Sequence, residues 1–147
     1  MDDLDEVRQR RDALLRVVAS LEAAMATPAG DARWPERLAE ALSGLQATFE
    51  EHVTATEASG GIFDEVRDRA PRLVNQVDRL VDEHVIITAD AQRLMDRLSR
   101  ARAERSPDET ASIREQALEL LAAIVRHRHL GADLLYEAYN VDVGGPG

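Results

Sequence analysis

His52, His84 and His127 are three of the four histidines in the chain, and each falls where a helical seam would otherwise carry Leu, Ile or Val. One imidazole per helix, meeting inside a bundle, is how helical bundles assemble metal sites. Each seam has one polar interruption. The first helix supplies Arg11 between Val7 and Leu14; the others place His52 three residues after Phe49, His84 between Leu80 and Ile87, and His127 three after Ile124. Arg11 and His52 lie 41 residues apart, His84 and His127 43 apart. Apolar residues follow Arg11 and His84 at the same offsets, Leu14, Val18, Leu21 and Ile87, Ala91, Leu94. Matched hairpins, whether from duplication or from bundle symmetry alone, place the four polar positions in one layer.

The elements that must position these residues read as four long helices. Leu4, Val7, Leu14, Val18, Leu21 and Met25 give a three-four alternation over about 2–26, closed by Pro28 and Gly30. Trp34, Leu38, Ala41, Leu45 and Phe49 continue it over about 32–58, with Pro35 tolerated in the first turn and Gly60–Gly61 as the break. Ile62 to Arg69 can add a short helical piece before Pro71; the Gly60–Phe63 segment reads as a simple turn rather than a lid. Leu73, Val77, Leu80, Ile87, Ala91, Leu94 and Leu98 form the cleanest seam, about 71–104. Ser106, Pro107, Asp108 and Glu109 make a capping box for the last helix, about 107–140, carrying Ala117, Leu120, Ile124, Leu134 and Ala138 and stopped by Gly144, Gly145 and Pro146. No strand-like alternation competes, and good helix formers dominate. The expected fold is all-α, a single up-down-up-down four-helix bundle spanning 1–147.

Composition narrows the chemistry. With no cysteine, thiolate catalysis, Cys-type zinc sites and iron–sulfur clusters are excluded, leaving His and carboxylate as ligands. All 18 basic residues are Arg, against 28 acidic ones, for a formal charge of −10, which argues against a nucleic-acid partner. The longest apolar run, Leu120 to Val125, is far short of the roughly 20 residues of a membrane span. The start of the chain, Met1 to Glu6, is acidic where an export signal would be basic, so a soluble cytoplasmic protein is expected. There is no strand to carry a phosphate loop or a nucleophile elbow.

Trp34, the stretch EEHVTATEASGGIFDEV from Glu50 to Val66, RLVDEH from Arg79 to His84, and the histidine-bearing last helix together resemble the hemerythrin-like (HHE) cation-binding domains over nearly the whole length. The resemblance implies a bundle holding two non-haem irons through histidines from all four helices and a carboxylate four residues after the histidine of the second and fourth. It further implies handling of O2, nitric oxide or peroxide, or a part in iron homeostasis. Carried over residue by residue, His52, His84 and His127 match. The first-helix histidine is Arg11, and the two carboxylate positions are Thr56 and Gly131.

The residues leave two readings. In one, His52, His84 and His127 with Glu57 or water hold zinc or iron(II) in a reduced site of a binding or sensing protein. Glu57 lies about 140° around the helix from His52, so it turns inward only if the helix loosens before Gly60. In the other, a metal-free interaction or small-ligand bundle keeps the histidines as core residues bonded to Thr56, Arg11 and Glu83. An enzyme acting on O2 or peroxide is a third class. Arg11 discriminates: a guanidinium in the layer needs a carboxylate, with Glu57 or Glu83 the expected partner, whereas the alternative is that Arg11 snorkels outward with only its stem buried. His129 and Asp133 read as a solvated face, and Tyr136 and Tyr139 as core closure or a dimer patch, for a monomer or homodimer.

Overall fold

The computed structural model describes residues 3–28, 30–101 and 106–141. Helix α1 (Asp3–Ala26) and α2 (Trp34–Glu57) form the first hairpin; a short α3 (Ile62–Arg69) and a 3-10 turn (Pro71–Leu73) lead into α4 (Val74–Ala101), which pairs with α5 (Pro107–Tyr136). Packing runs α1 to α2, α2 to α4, α4 to α5 and α5 back to α1, which is an up-down-up-down four-helix bundle. Asp2, residues 102–104 and the stop at Gly144–Pro146 lie outside the described residues.

Local chemistry explains the boundaries. α2 begins at Trp34 because Asp31 organises the turn before it: its Oδ1 accepts the Arg33 N–H at 2.9 Å and its carbonyl the Trp34 N–H at 3.1 Å. Pro71 opens a tight 3-10 turn instead of the helix itself, so α4 starts three residues later than expected. Ser106 Oγ accepts the Glu109 N–H at 3.1 Å, capping α5, with acidic Asp108 and Glu109 facing the positive end of the helix dipole. α5 passes at its far end into a π-helical turn, Glu137–Val141. The carbonyl of Met25, in the last turn of α1, accepts from Arg114 of α5 at 3.0 Å.

The core is divided in two. The larger cluster fills the bundle from Trp34, Met25 and Leu98 at one end to Phe49 and Ile124, and includes Leu42, which the seam had assigned to its part-buried neighbour Ala41. The smaller one gathers Phe63 and Val66 of α3 with Leu73, Val77, Leu80, Leu134 and Ala138. The histidine layer lies between them. α3 therefore closes one end of the bundle, correcting the expectation of a simple turn. The reason is its two apolar residues, Phe63 at 5% and Val66 at 0% exposure, on an otherwise charged helix. Gly60 and Gly61 let the chain reverse into it: Gly60 has φ +75°, and a Cβ on Gly61 would stand 2.8 Å from the Ala55 carbonyl.

Candidate metal centre

α2, α4 and α5 each bring one imidazole to the same level. Candidate ligand atoms of His52, His84 and His127 all lie within 4.8 Å of one another. His84 and His127 are buried, at 1% and 2% exposure, and His52 is partly exposed. The ring centroids are 4.8–5.4 Å apart. Phe49 packs against all three rings at 5.6–5.7 Å, and Phe63 stacks on His84 from the α3 side at 5.7 Å.

Each buried imidazole is held from behind by a carboxylate of a neighbouring helix. Glu57 Oε2 accepts from His84 Nδ1 at 2.6 Å, and Glu83 Oε1 accepts from His127 Nδ1 at 2.8 Å. A proton fixed on Nδ1 leaves the Nε2 lone pair free to point inward, the arrangement that orients imidazoles toward a metal. His127 Nε2 lies 3.3 Å from His52 Nε2. His84 Nε2 is buried without a hydrogen-bond partner, although buried polar atoms are nearly always paired.

The donor set fits a cation. With metal–nitrogen bonds of about 2.0–2.1 Å, two tetrahedral ligands stand about 3.3 Å apart, the observed separation of His52 and His127 Nε2. All three candidate ligand atoms lie within 4.8 Å of one another. Burial, more than anything else, keeps His52 neutral, down to about 3 from 6.5, with His84, His127 and Arg10 acting in the same direction. Burial also lowers His127, opposed by its bond to Glu83. Neutral imidazole is the form that coordinates.

Several expected residues stand elsewhere. Glu57, expected among the ligands, binds the outer nitrogen of His84, because α2 stays helical through Glu57 and turns its carboxylate toward α4. Arg11, expected in a buried pair with Glu57 or Glu83, is exposed, and both carboxylates are occupied by histidines. Its neighbour Arg10 is the part-buried one, paired with Glu6 at 3.6 Å. Thr56 returns its hydroxyl to the His52 carbonyl at 2.8 Å and so contributes nothing to the layer. His129 and Asp133 are both exposed, the solvated face expected of them, and His129 lies beside Arg128. Tyr139 donates to Glu65 at 2.5 Å under the Arg69 guanidinium, tying the π turn to α3, while Tyr136 is 64% exposed.

The fourth side of the layer is open. α1 buries no side chain before Leu14 among the described residues, and a cavity of about 300 Å³ reaches from its first turns to His52 and His127. Phe63 and the cavity were missed in the sequence; an aromatic residue on a short charged helix after Gly60–Gly61 was the available signal for the first.

Comparison with curated proteins and with solved structures finds no match. The hemerythrin HHE cation-binding domain matches residues 2–139, a span that contains every residue of the histidine layer and both supporting carboxylates. The chain belongs to the hemerythrin HHE cation-binding domain family.

Proposed function

We propose that the chain is a cytoplasmic binding or sensing protein that holds one non-haem metal ion, iron or zinc, on His52, His84 and His127. Its small ligand is of the O2, nitric oxide or peroxide class. The observation that carries this reading is the buried, unpartnered Nε2 of His84 facing two further imidazoles. An ion bound there supplies Lewis acidity and, if it is iron, one-electron chemistry.

The protein's own groups prepare the site. Glu57 and Glu83 fix the ring orientations and place two negative charges next to the layer, enough to offset a divalent cation from outside its coordination shell. Phe49 and Phe63 cover the rings with apolar surface and exclude water from those sides. The cavity on the α1 side gives a diatomic molecule a route to His52 and His127. Arg11, Thr56 and Gly131 offer no donor for a second ion, so one ion is the expected load.

A second reading, a metal-free interaction or small-ligand bundle, draws on the His52–His127 contact, which at 3.3 Å also serves as a hydrogen bond between two neutral rings. Metal analysis of protein purified without chelator or affinity tag separates the two. About one ion per chain, lost in His84→Leu, supports the site. No retention after incubation with iron(II) and zinc supports the second reading, and two ions with an oxo-bridge absorption band would overturn the single-ion assignment.

A further inference from the structure

The cavity beside the histidines has a chemical character of its own. Its volume, about 300 Å³, is at the lower end of small-molecule sites. Its walls are apolar, with Val7 and Leu14 of α1 facing Phe63, Leu80, Leu134 and Leu135. Three arginines, Arg10, Arg11 and Arg128, also line it. Of the two acids there, Glu6 is engaged by Arg10 and Glu65 by Tyr139. Arg11 and Arg128 have no carboxylate partner among the described residues; Arg128 touches only the ring of His129, at 3.4 Å. Two guanidiniums without counter-ions, beside an apolar cavity in a chain of net charge −10, are a local reversal of sign.

Gly131 adds an independent observation. It sits inside α5, where glycine weakens the helix, and a Cβ there would meet nothing within 4 Å. No close packing demands the glycine, and the space beside it is part of the cavity.

We propose that this cavity is a binding site for a small organic carboxylate with an apolar body. The tail lies among Leu14, Phe63 and Leu134, and the carboxylate meets Arg11 and Arg128, whose planar forks match it in geometry as well as charge. The site goes beyond the metal reading and needs no metal: His52 and His127 also line the cavity, but the contacts proposed here are made by the two guanidiniums and the apolar walls.

The test is calorimetric titration of the full chain, stripped with chelator, using octanoate as the probe and octanol and octylammonium as controls. Octanoate binds more tightly than octanol by about tenfold or more, the ratio one charge-assisted pair supplies, and octylammonium does not bind. Arg11→Gln combined with Arg128→Gln removes that preference while leaving octanol binding in place, and Gly131→Leu fills the cavity and abolishes both. His84→Leu loses metal but keeps octanoate, so failure of the metal site and failure of this proposal give different results. The proposal is overturned if chelated parent protein does not bind octanoate, if octanol binds equally well, or if the double arginine variant keeps the preference. The arginine variants, checked for native helicity, carry the test should Gly131→Leu fail to fold.

Discussion

Replacing His84 by Leu should make the metal-free protein more stable while destroying its response to metal. His84 is 1% exposed, and its Nε2 has no hydrogen-bond partner. Leaving such an atom buried costs about 1–3 kcal/mol. The substitution also removes the bond from His84 Nδ1 to Glu57, but that carboxylate is 34% exposed and rehydrates, so the loss is only about 1 kcal/mol. Leu brings apolar surface into a pocket already lined by Phe49 and Phe63, recovering about 1–2 kcal/mol. The balance is a gain of about 1–4 kcal/mol, or roughly 3–12 °C in Tm for a domain of this size. Thermal melts followed by circular dichroism, on parent and His84→Leu with and without added zinc or iron(II), measure both halves. In chelator the variant melts higher; with metal only the parent gains. A variant that melts below the parent in chelator would show that the imidazole is a satisfied core residue and that its unpartnered nitrogen carries no cost.

The remaining expectations concern the groups around that ring. Because burial lowers the folded pKa of His52 from 6.5 to about 3, metal-free stability is fully present above pH 6.5 and falls as the pH drops toward 3. His52 alone sets a slope of up to about 1.4 kcal/mol per pH unit; urea unfolding between pH 7.5 and 4 reads it, and His52→Phe flattens it. Glu57→Ala and Glu83→Ala should each weaken zinc binding by about 10–100-fold in competition titrations with retained helicity, since they release the ring they orient; unchanged affinity would mean the carboxylates are incidental. Arg11→Ala should melt within about 0.5 kcal/mol of the parent, as its side chain is exposed and binds no carboxylate among the described residues; a loss of several kcal/mol would restore the buried pair. Gly61→Ala should cost about 1–3 kcal/mol, because its Cβ would stand 2.8 Å from one backbone carbonyl and 2.9 Å from another; wild-type unfolding behaviour would show that the turn yields.

Helix existence, the seams and the level of the three histidines were legible in the sequence because they rest on local rules. A period near 3.6 assigns each residue to a face, and Ser106, Pro107 and Gly60–Gly61 mark ends through groups within one turn of themselves. What those rules leave open is which helix a flanking residue meets. Glu83 adjoins His84 in the chain yet serves His127, because successive residues on a helix point about 100° apart and that turn carries its carboxylate to α5. Glu57 faces away from His52 for the same reason and so reaches His84 on α4. Arg11 was misplaced by one position of drift: a strict seven-residue reading of α1 put it in the layer, whereas the helix leaves Arg10 part-buried and Arg11 outside. The sequence alone thus determined the bundle and its three inward imidazoles. The carboxylates behind them, the cover of Phe63 and the cavity along α1 were decided by tertiary structure, since each depends on the rotation and separation of helices that no single helix encodes.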